Sequence, residues 1–302
     1  MSVGYLLLLA ALLGFSTLGI FHKVADHPEC RAKNIAVLLL FWAGVLTTTY
    51  TFFFAPKGLH FPREVLLIGA LGGVFSSLAL FAFQAGLKFG KISTSWLVIN
   101  LSMSVPILLS IFSFGEKLNA TKAVGITLVI AAIILLWRDK KIDLAKSLTE
   151  KTNLPGAQKS KWLLLMVLAF MANGVSASTS KLLGEAGFGD YAWQFVTVLY
   201  WAGFGLMMIL NLVNGSRPNR REFGIALVMA VGSVIGNVCL TKALDVKMPG
   251  HVDGSIGYPI GNGGSLTLVV LAGVLFFKEK IHPIGIAGIV CGLTAILILI
   301  MG

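Results

Sequence analysis

Ser255-Ile256-Gly257-Tyr258-Pro259-Ile260-Gly261-Asn262-Gly263-Gly264-Ser265 leads into an apolar run, Leu266–Phe277, that ends in Lys278-Glu279-Lys280. The run is apolar enough for a membrane helix, yet the stretch that leads into it is loosened by a proline and four glycines. Pro259 cannot donate a backbone N–H and frees a carbonyl one turn back. In hydrocarbon an unsatisfied backbone group is costly, so broken helix is tolerated only where it packs on protein or lines a wet cavity. An interrupted membrane helix is the usual sequence pointer to a transporter's binding site. Close helix packing through small residues is the plainer reading. Tyr258, Asn262 and Ser265 fall on one helical face, which favours the cavity. On this reading Pro259, Gly261, Gly263 and Gly264 form a hinge.

The rest of the chain has the same character. It is 302 residues long, 56% hydrophobic and 12% charged, with a mean hydropathy of +0.87. A transmembrane helix needs about 20 apolar residues. Ten such segments are expected, at 3–22, 34–54, 65–87, 92–114, 119–137, 161–182, 192–213, 223–244, 253–277 and 283–301. The fold class is therefore an all-α polytopic membrane protein. The first segment has no basic leader and nine spans follow it, so it is expected to be retained. The net charge of +11 would suggest nucleic acid in a soluble protein. Here the basic residues flank apolar spans, where they anchor and orient helices in the bilayer. No nucleic-acid partner is expected. Cys30, Cys239 and Cys291 form neither a disulfide framework nor a metal site, and no cofactor is implied.

The spans read as one unit used twice. Lys23 closes the first span and Lys181 the sixth, 158 residues apart. Trp42-Ala43-Gly44 recurs as Trp201-Ala202-Gly203, displaced by 159, and Arg63-Glu64 recurs as Arg221-Glu222, displaced by 158. Phe114-Gly115-Glu116-Lys117 recurs as Phe277-Lys278-Glu279-Lys280, displaced by 163, and Gly125 and Gly288 keep that spacing. Landmarks in one order mark a duplication. Five spans per copy is an odd number, so tandem copies sit in opposite orientations, which is the inverted-repeat logic of secondary transporters. The division expected is 1–137, a basic polar linker at 138–160, and 161–302.

Ten spans in two such halves, each with a Phe-rich helix, a Glu-Lys corner and a Gly-containing last helix, resemble the drug/metabolite transporter superfamily, EamA-like branch. The resemblance covers essentially the whole chain and is strongest over Ile92–Trp137 and Gly254–Ile300. It implies helices one, three, four, six, eight and nine around a central cavity, with rocking bundles giving alternating access. It also implies both termini in the cytoplasm. Lys and Arg are more numerous after the odd-numbered spans, which by the positive-inside rule places both termini outside. The orientation stays open.

Asn100, Asn173, Asn237 and Asn262 lie deep within spans, where each should face protein or water. Helical spacing extends them into polar faces. These are Trp96, Asn100 and Ser104; Asn173, Ser176 and Ser180; Ser233, Asn237 and Thr241; and Tyr258, Asn262 and Ser265. A single polar residue of this kind often only bonds a neighbouring helix, worth ~0.6 kcal/mol; four faces on four helices suggest a shared cavity. Trp96, Asn100, Asn173, Ser176, Asn237, Tyr258, Asn262 and Ser265 are the candidate substrate-binding residues, with Trp96 and Tyr258 placed to stack. The lining is neutral and suits hydroxyls, amides or a zwitterion. No Arg lies inside a span, which argues against phosphate-bearing substrates.

Trp42 and Trp201 sit mid-span and read as packing or gating residues. Glu116 and Glu279 stand just before the following helix, where a carboxylate complements its N-terminal dipole. A structural cap or ion pair is favoured over a coupling site. Lys23 and Lys181 could close a gate by pairing with a carboxylate, although snorkelling to the headgroups is the plainer reading. The sequence carries none of the common hydrolase or nucleotide-binding motifs, so no enzyme is expected. The leading reading is a secondary transporter for a small neutral or zwitterionic metabolite, an amino acid or sugar, with proton or sodium coupling left open. The alternative is a flippase for a lipid or lipid-linked sugar on the same fold. A monomer and a homodimer are both compatible, and short loops suit a bacterial inner membrane.

Overall fold

The computed structural model describes residues 2–25, 27–86, 89, 98–147, 156–211, 218–278 and 281–301. Trp96 and Glu279 lie outside them. The described chain is helical: α1 (Val3–Val24), α2 (Ala32–Phe54), α3 (Arg63–Gly86), α4 (Val98–Phe112), α5 (Ala120–Ser147), α6 (Gly156–Glu185), α7 (Ala192–Asn211), α8 (Arg220–Ala243), α9 (Gly254–Phe277) and α10 (Pro283–Met301). Among the described residues all but α4 are long and apolar enough to cross a membrane. Leu164, Phe112, Phe276 and Met301 leave large apolar side chains exposed, as a lipid-facing surface requires. The protein is a polytopic α-helical membrane protein. The expected span at 92–114 is described only from Val98, as a shorter apolar helix with turns at Ser102 and Met103. The described parts of the expected linker are helical and extend α5 and α6.

Two groups of helices share a broad contact through α9, which packs more extensively on α1 than on any other single helix. In the first, α1 packs on α8, α3 on α6 and α7, and α2 on α7 and α8. In the second, α5 packs on α10, and α9 on α4, α5 and α10. The groups meet where α9 packs on α1 and α4 on α6. Glycines permit the closest approaches. A Cβ on Gly14 of α1 would lie 2.6 Å from the Gly232 carbonyl oxygen of α8 and 2.7 Å from the Gly236 nitrogen. A Cβ on Gly125 of α5 would lie 2.5 Å from Leu299 of α10, and one on Gly288 of α10 2.9 Å from Leu136 of α5.

The opening stretch is not broken. Pro259–Gly263 forms one π-helical turn between α-helical segments. The missing donor at Pro259 is absorbed by widening the helix, and the Gly264 N–H returns to the carbonyls of both Ile260 and Pro259. Such turns occur mostly as single-turn bulges within α-helices. The glycines let neighbours close in. A Cβ on Gly263 would lie 2.6 Å from Val129 of α5, and one on Gly264 2.7 Å from Leu12 of α1 and 3.0 Å from Ile296 of α10.

Candidate functional site

Polar residues of the central helices pair across helix boundaries. Asn173 of α6 donates to Ser102 Oγ of α4 at 2.6 Å, and Ser102 donates to the Ile99 carbonyl at 2.6 Å. Ser176 donates to the Gly72 carbonyl of α3 at 2.8 Å. Asn237 of α8 donates to Tyr200 OH of α7 at 3.1 Å and to its own Ser233 carbonyl at 2.9 Å; Tyr200 and Ser233 hydroxyls are 2.7 Å apart. Thr241 donates to Ser180 of α6 at 3.1 Å. The Ser233, Asn237 and Thr241 face therefore serves two neighbours rather than one opening. Asn100 is half-buried in α4 and accepts the Met103 N–H through its carbonyl. Asn262 is half-buried in the π turn, and its carbonyl accepts from Ser265 Oγ at 2.7 Å.

Tyr258 is fully buried and donates its hydroxyl to the Ala177 carbonyl of α6 at 2.8 Å. In this conformation it packs on protein and offers no open face for stacking. Trp42 and Trp201 join an aromatic contact between α2 and α7 with Phe41 and Phe204. Trp201 Nε1 donates to Thr48 Oγ1 at 2.8 Å, and a Cβ on Gly44 would come 3.0 Å from its ring. Trp201 also borders a lateral groove with Phe61, Leu66, Thr197, Val198 and Ala202, on the opposite group of helices from α9.

The densest charge chemistry lies at the start of α9. Glu116, in the loop between α4 and α5, accepts from the Gly254 N–H at 2.6 Å and the Ser255 N–H at 2.9 Å. Lys181 Nζ lies 2.9 Å from Glu116 Oε1 and 2.9 Å from Glu185 Oε1. The side chains of Lys181 and Glu116 are 2% and 6% exposed, so the pair is closed to solvent. Two expectations are corrected. Glu116 caps α9, not the helix that follows it in sequence; α5 is capped by Asn119, whose side chain accepts the Lys122 N–H at 2.8 Å. Lys181 does not snorkel; two carboxylates hold its ammonium inside. Burial pushes the Glu116 carboxyl up, but the Ser255 N–H and the Lys181 ammonium outweigh this and hold it below the usual range. Asp253, beside this cap, pairs with Lys122 of α5.

At the other end of α9, Lys23 of α1 stands 5.7 Å from the centroid of the Phe277 ring. Gly115 and Lys278, matched in the two halves, are both left-handed, with φ of 69° and 53°. A second buried carboxylate, Glu222 of α8, receives Arg31, just before α2, and Asn34 of α2. Sequence reasoning missed Glu185, Ser102, Tyr200 and the role of Glu222. Only Glu185 had a local signal, since it follows Lys181 by one helical turn. The described residues hold no cluster of His, Cys, Asp and Glu that could bind a metal ion.

No family model matches the chain, and no curated protein matches it. Among solved structures 28 chains match. One, described only as "Crystal structure of protein", superposes with a TM-score of 0.75 over 99% of this chain and 96% of its own, at 15% identity. The likeness is one of fold. It extends over nearly the whole of both chains, so the described helices share one architecture with that chain.

Proposed function

We propose that the protein is a secondary transporter that moves a small neutral or zwitterionic metabolite, of the amino-acid or sugar class, by alternating access in a fold built from two inverted five-span repeats. The observation that carries this reading is reciprocal packing. Gly125 packs on Leu299, and Gly288, its match 163 residues on, packs on Leu136, which lies 163 residues before Leu299. Exchanging the halves turns one contact into the other. The same exchange turns α1 on α8 into α6 on α3, and leaves α5 on α10 and α2 on α7 unchanged. The left-handed corner residues Gly115 and Lys278 obey it as well. A repeat of five spans, used twice, supports a fold with two related orientations, which is what alternating access exploits. The central Asn and Ser groups bond neutral partners, as a site for neutral or zwitterionic solutes requires. The EamA-like resemblance points the same way, with a bacterial inner membrane as the expected location.

The test is purified protein against a panel of amino acids, sugars and lipid headgroups, read as thermal stability and then as uptake into liposomes. A ligand at 100 times its dissociation constant stabilises by about 2.7 kcal/mol. A shift with one soluble class, and uptake lost in folded Asn173→Ala, is the expected result. A response to lipid headgroups alone would favour the flippase. Uptake unchanged in Asn173→Ala would remove that residue from the site.

A further inference from the structure

Resting on the transporter reading, we infer that Lys181, Glu116 and the first turn of α9 form a gate that closes one mouth of the pathway, and that it parts along the Lys181–Glu116 contact. Lys181 and Glu185 belong to α6, in the first group of helices. Glu116 joins α4 to α5, and Gly254 and Ser255 open α9, all in the second group. The ammonium–carboxylate contact at 2.9 Å therefore bridges the two groups. Among the described residues the other ion pairs between helices lie within one group: Lys122 with Asp253, His282 with Asp139, and Arg31 with Glu222.

The partners of each charge fix where the gate parts. Removing one member of a buried ion pair strands the other charge. Here separation strands neither. Lys181 keeps Glu185, four residues on along its own helix, at 2.9 Å. Glu116 keeps the Gly254 and Ser255 N–H groups at 2.6 and 2.9 Å, together with the positive end of the α9 dipole. One turn deeper, the Tyr258 hydroxyl on the Ala177 carbonyl is a second, neutral contact across the same line. Gly254 lets α4 close on this turn, because a Cβ there would meet the Ser110 hydroxyl.

The opposite end of α9 supplies independent support. Its 24 residues span about 36 Å, so its two ends belong to the two faces of the membrane. Lys181 meets the first end; Lys23, its match in the other half, meets the second at Phe277. The first helix of each half thus brings a lysine to one end of α9.

The experiment labels a cysteine at Ser255, which is fully buried, with a membrane-impermeant methanethiosulfonate, taking the wild-type protein as the background from the native cysteines. Ser255→Cys alone should label slowly. Adding Glu116→Gln or Lys181→Met should raise the rate about tenfold or more, as a two-state equilibrium loses its closed-state contact. Adding Glu185→Gln should leave labelling slow, because the contact between groups survives, while slowing turnover, because Lys181 loses the partner it keeps when open. Equal labelling with and without Glu116→Gln, or fast labelling in Glu185→Gln, overturns the gate. If Glu116→Gln does not fold, Lys181→Met reads the same parting, and Glu185→Gln changes only a group at the helix end. Labelling needs no transport, so a folded protein that gates as described but moves no solute would instead overturn the transporter reading.

Discussion

Glu222 and Glu116 are both buried carboxylates that tie helices together, but their donors are distributed differently. Glu222 receives the Arg31 N–H at 2.7 Å and Nε at 3.1 Å on one oxygen. Its other oxygen receives an Arg31 terminal nitrogen at 3.1 Å, Asn34 at 3.0 Å and the Asn219 N–H at 2.8 Å. The Asn219 side chain returns to the Glu222 N–H at 2.8 Å, completing a capping box at the start of α8. All these donors come from α2, α8 or the residues leading into them. Glu116 divides its donors instead, two from α9 and one from α6. A carboxylate whose partners move together is a clamp. One whose partners belong to different groups is a contact that can part without losing all of them. Burial alone does not distinguish the two; the assignment of donors does.

The largest expected effect tests the clamp. Glu222→Ala removes the reciprocal cap of α8, leaves the Arg31 N–H at the start of α2 without this acceptor, and takes the carboxylate away from the Arg31 and Asn34 side chains. A cap is worth about 1 kcal/mol and a hydrogen bond to a charged group about 1.5–3. Because these contributions overlap, a loss of about 3 kcal/mol is expected, read as the melting temperature of the detergent-purified protein. A loss below about 1 kcal/mol would mean that α2 and α8 are held by apolar packing alone and that the comparison fails on its stronger side.

Glu116 should matter less to stability and should show its charge through pH. Its carboxyl is lowered from an ordinary value of 4.5. A carboxylate depressed in the folded state contributes stability that is present above the unfolded pKa and lost as pH falls through the folded one. The melting difference between wild type and Glu116→Gln should therefore be flat above about pH 4.5 and shrink below it. A difference that grows on acidification would mean that the group is held protonated, which is incompatible with its ion pair to Lys181.

Some of this was legible in the sequence. The repeat landmarks matched Lys181 to Lys23 and Glu116 to Glu279 near the ends of spans, and apolar run lengths placed the long helices among the described residues. What failed was the direction in which side chains reach. The dipole rule suggested that Glu116 caps the next helix, but Asn119 already stands one residue before α5 and takes that role, which frees Glu116 to cross to α9. The bonds of Asn237 and Asn173 to Tyr200 and Ser102 join residues 37 and 71 positions apart, a distance no helical periodicity reports. The Pro259 stretch read as a break because a missing N–H usually costs a bond; widening by one π turn keeps the helix continuous, and local pattern does not separate those outcomes. Glu222 was recognised as a repeat marker, not as a clamp, because its partners precede it by nearly two hundred residues.

The smallest effect sharpens the clamp further. Arg221 adjoins Glu222 in sequence and meets Glu29 at 3.3 Å, but their side chains are 44% and 66% exposed. Exposed pairs are screened by solvent and typically contribute between zero and about 1 kcal/mol. Arg221→Ala should lower stability by no more than about 0.5 kcal/mol, and added salt should remove much of that difference. A cost comparable to that of Glu222→Ala would assign the joint between α2 and α8 to its rim of surface charge. The expected contrast between adjacent residues assigns it to Glu222, whose side chain is withdrawn from water and supplied with donors on both oxygens.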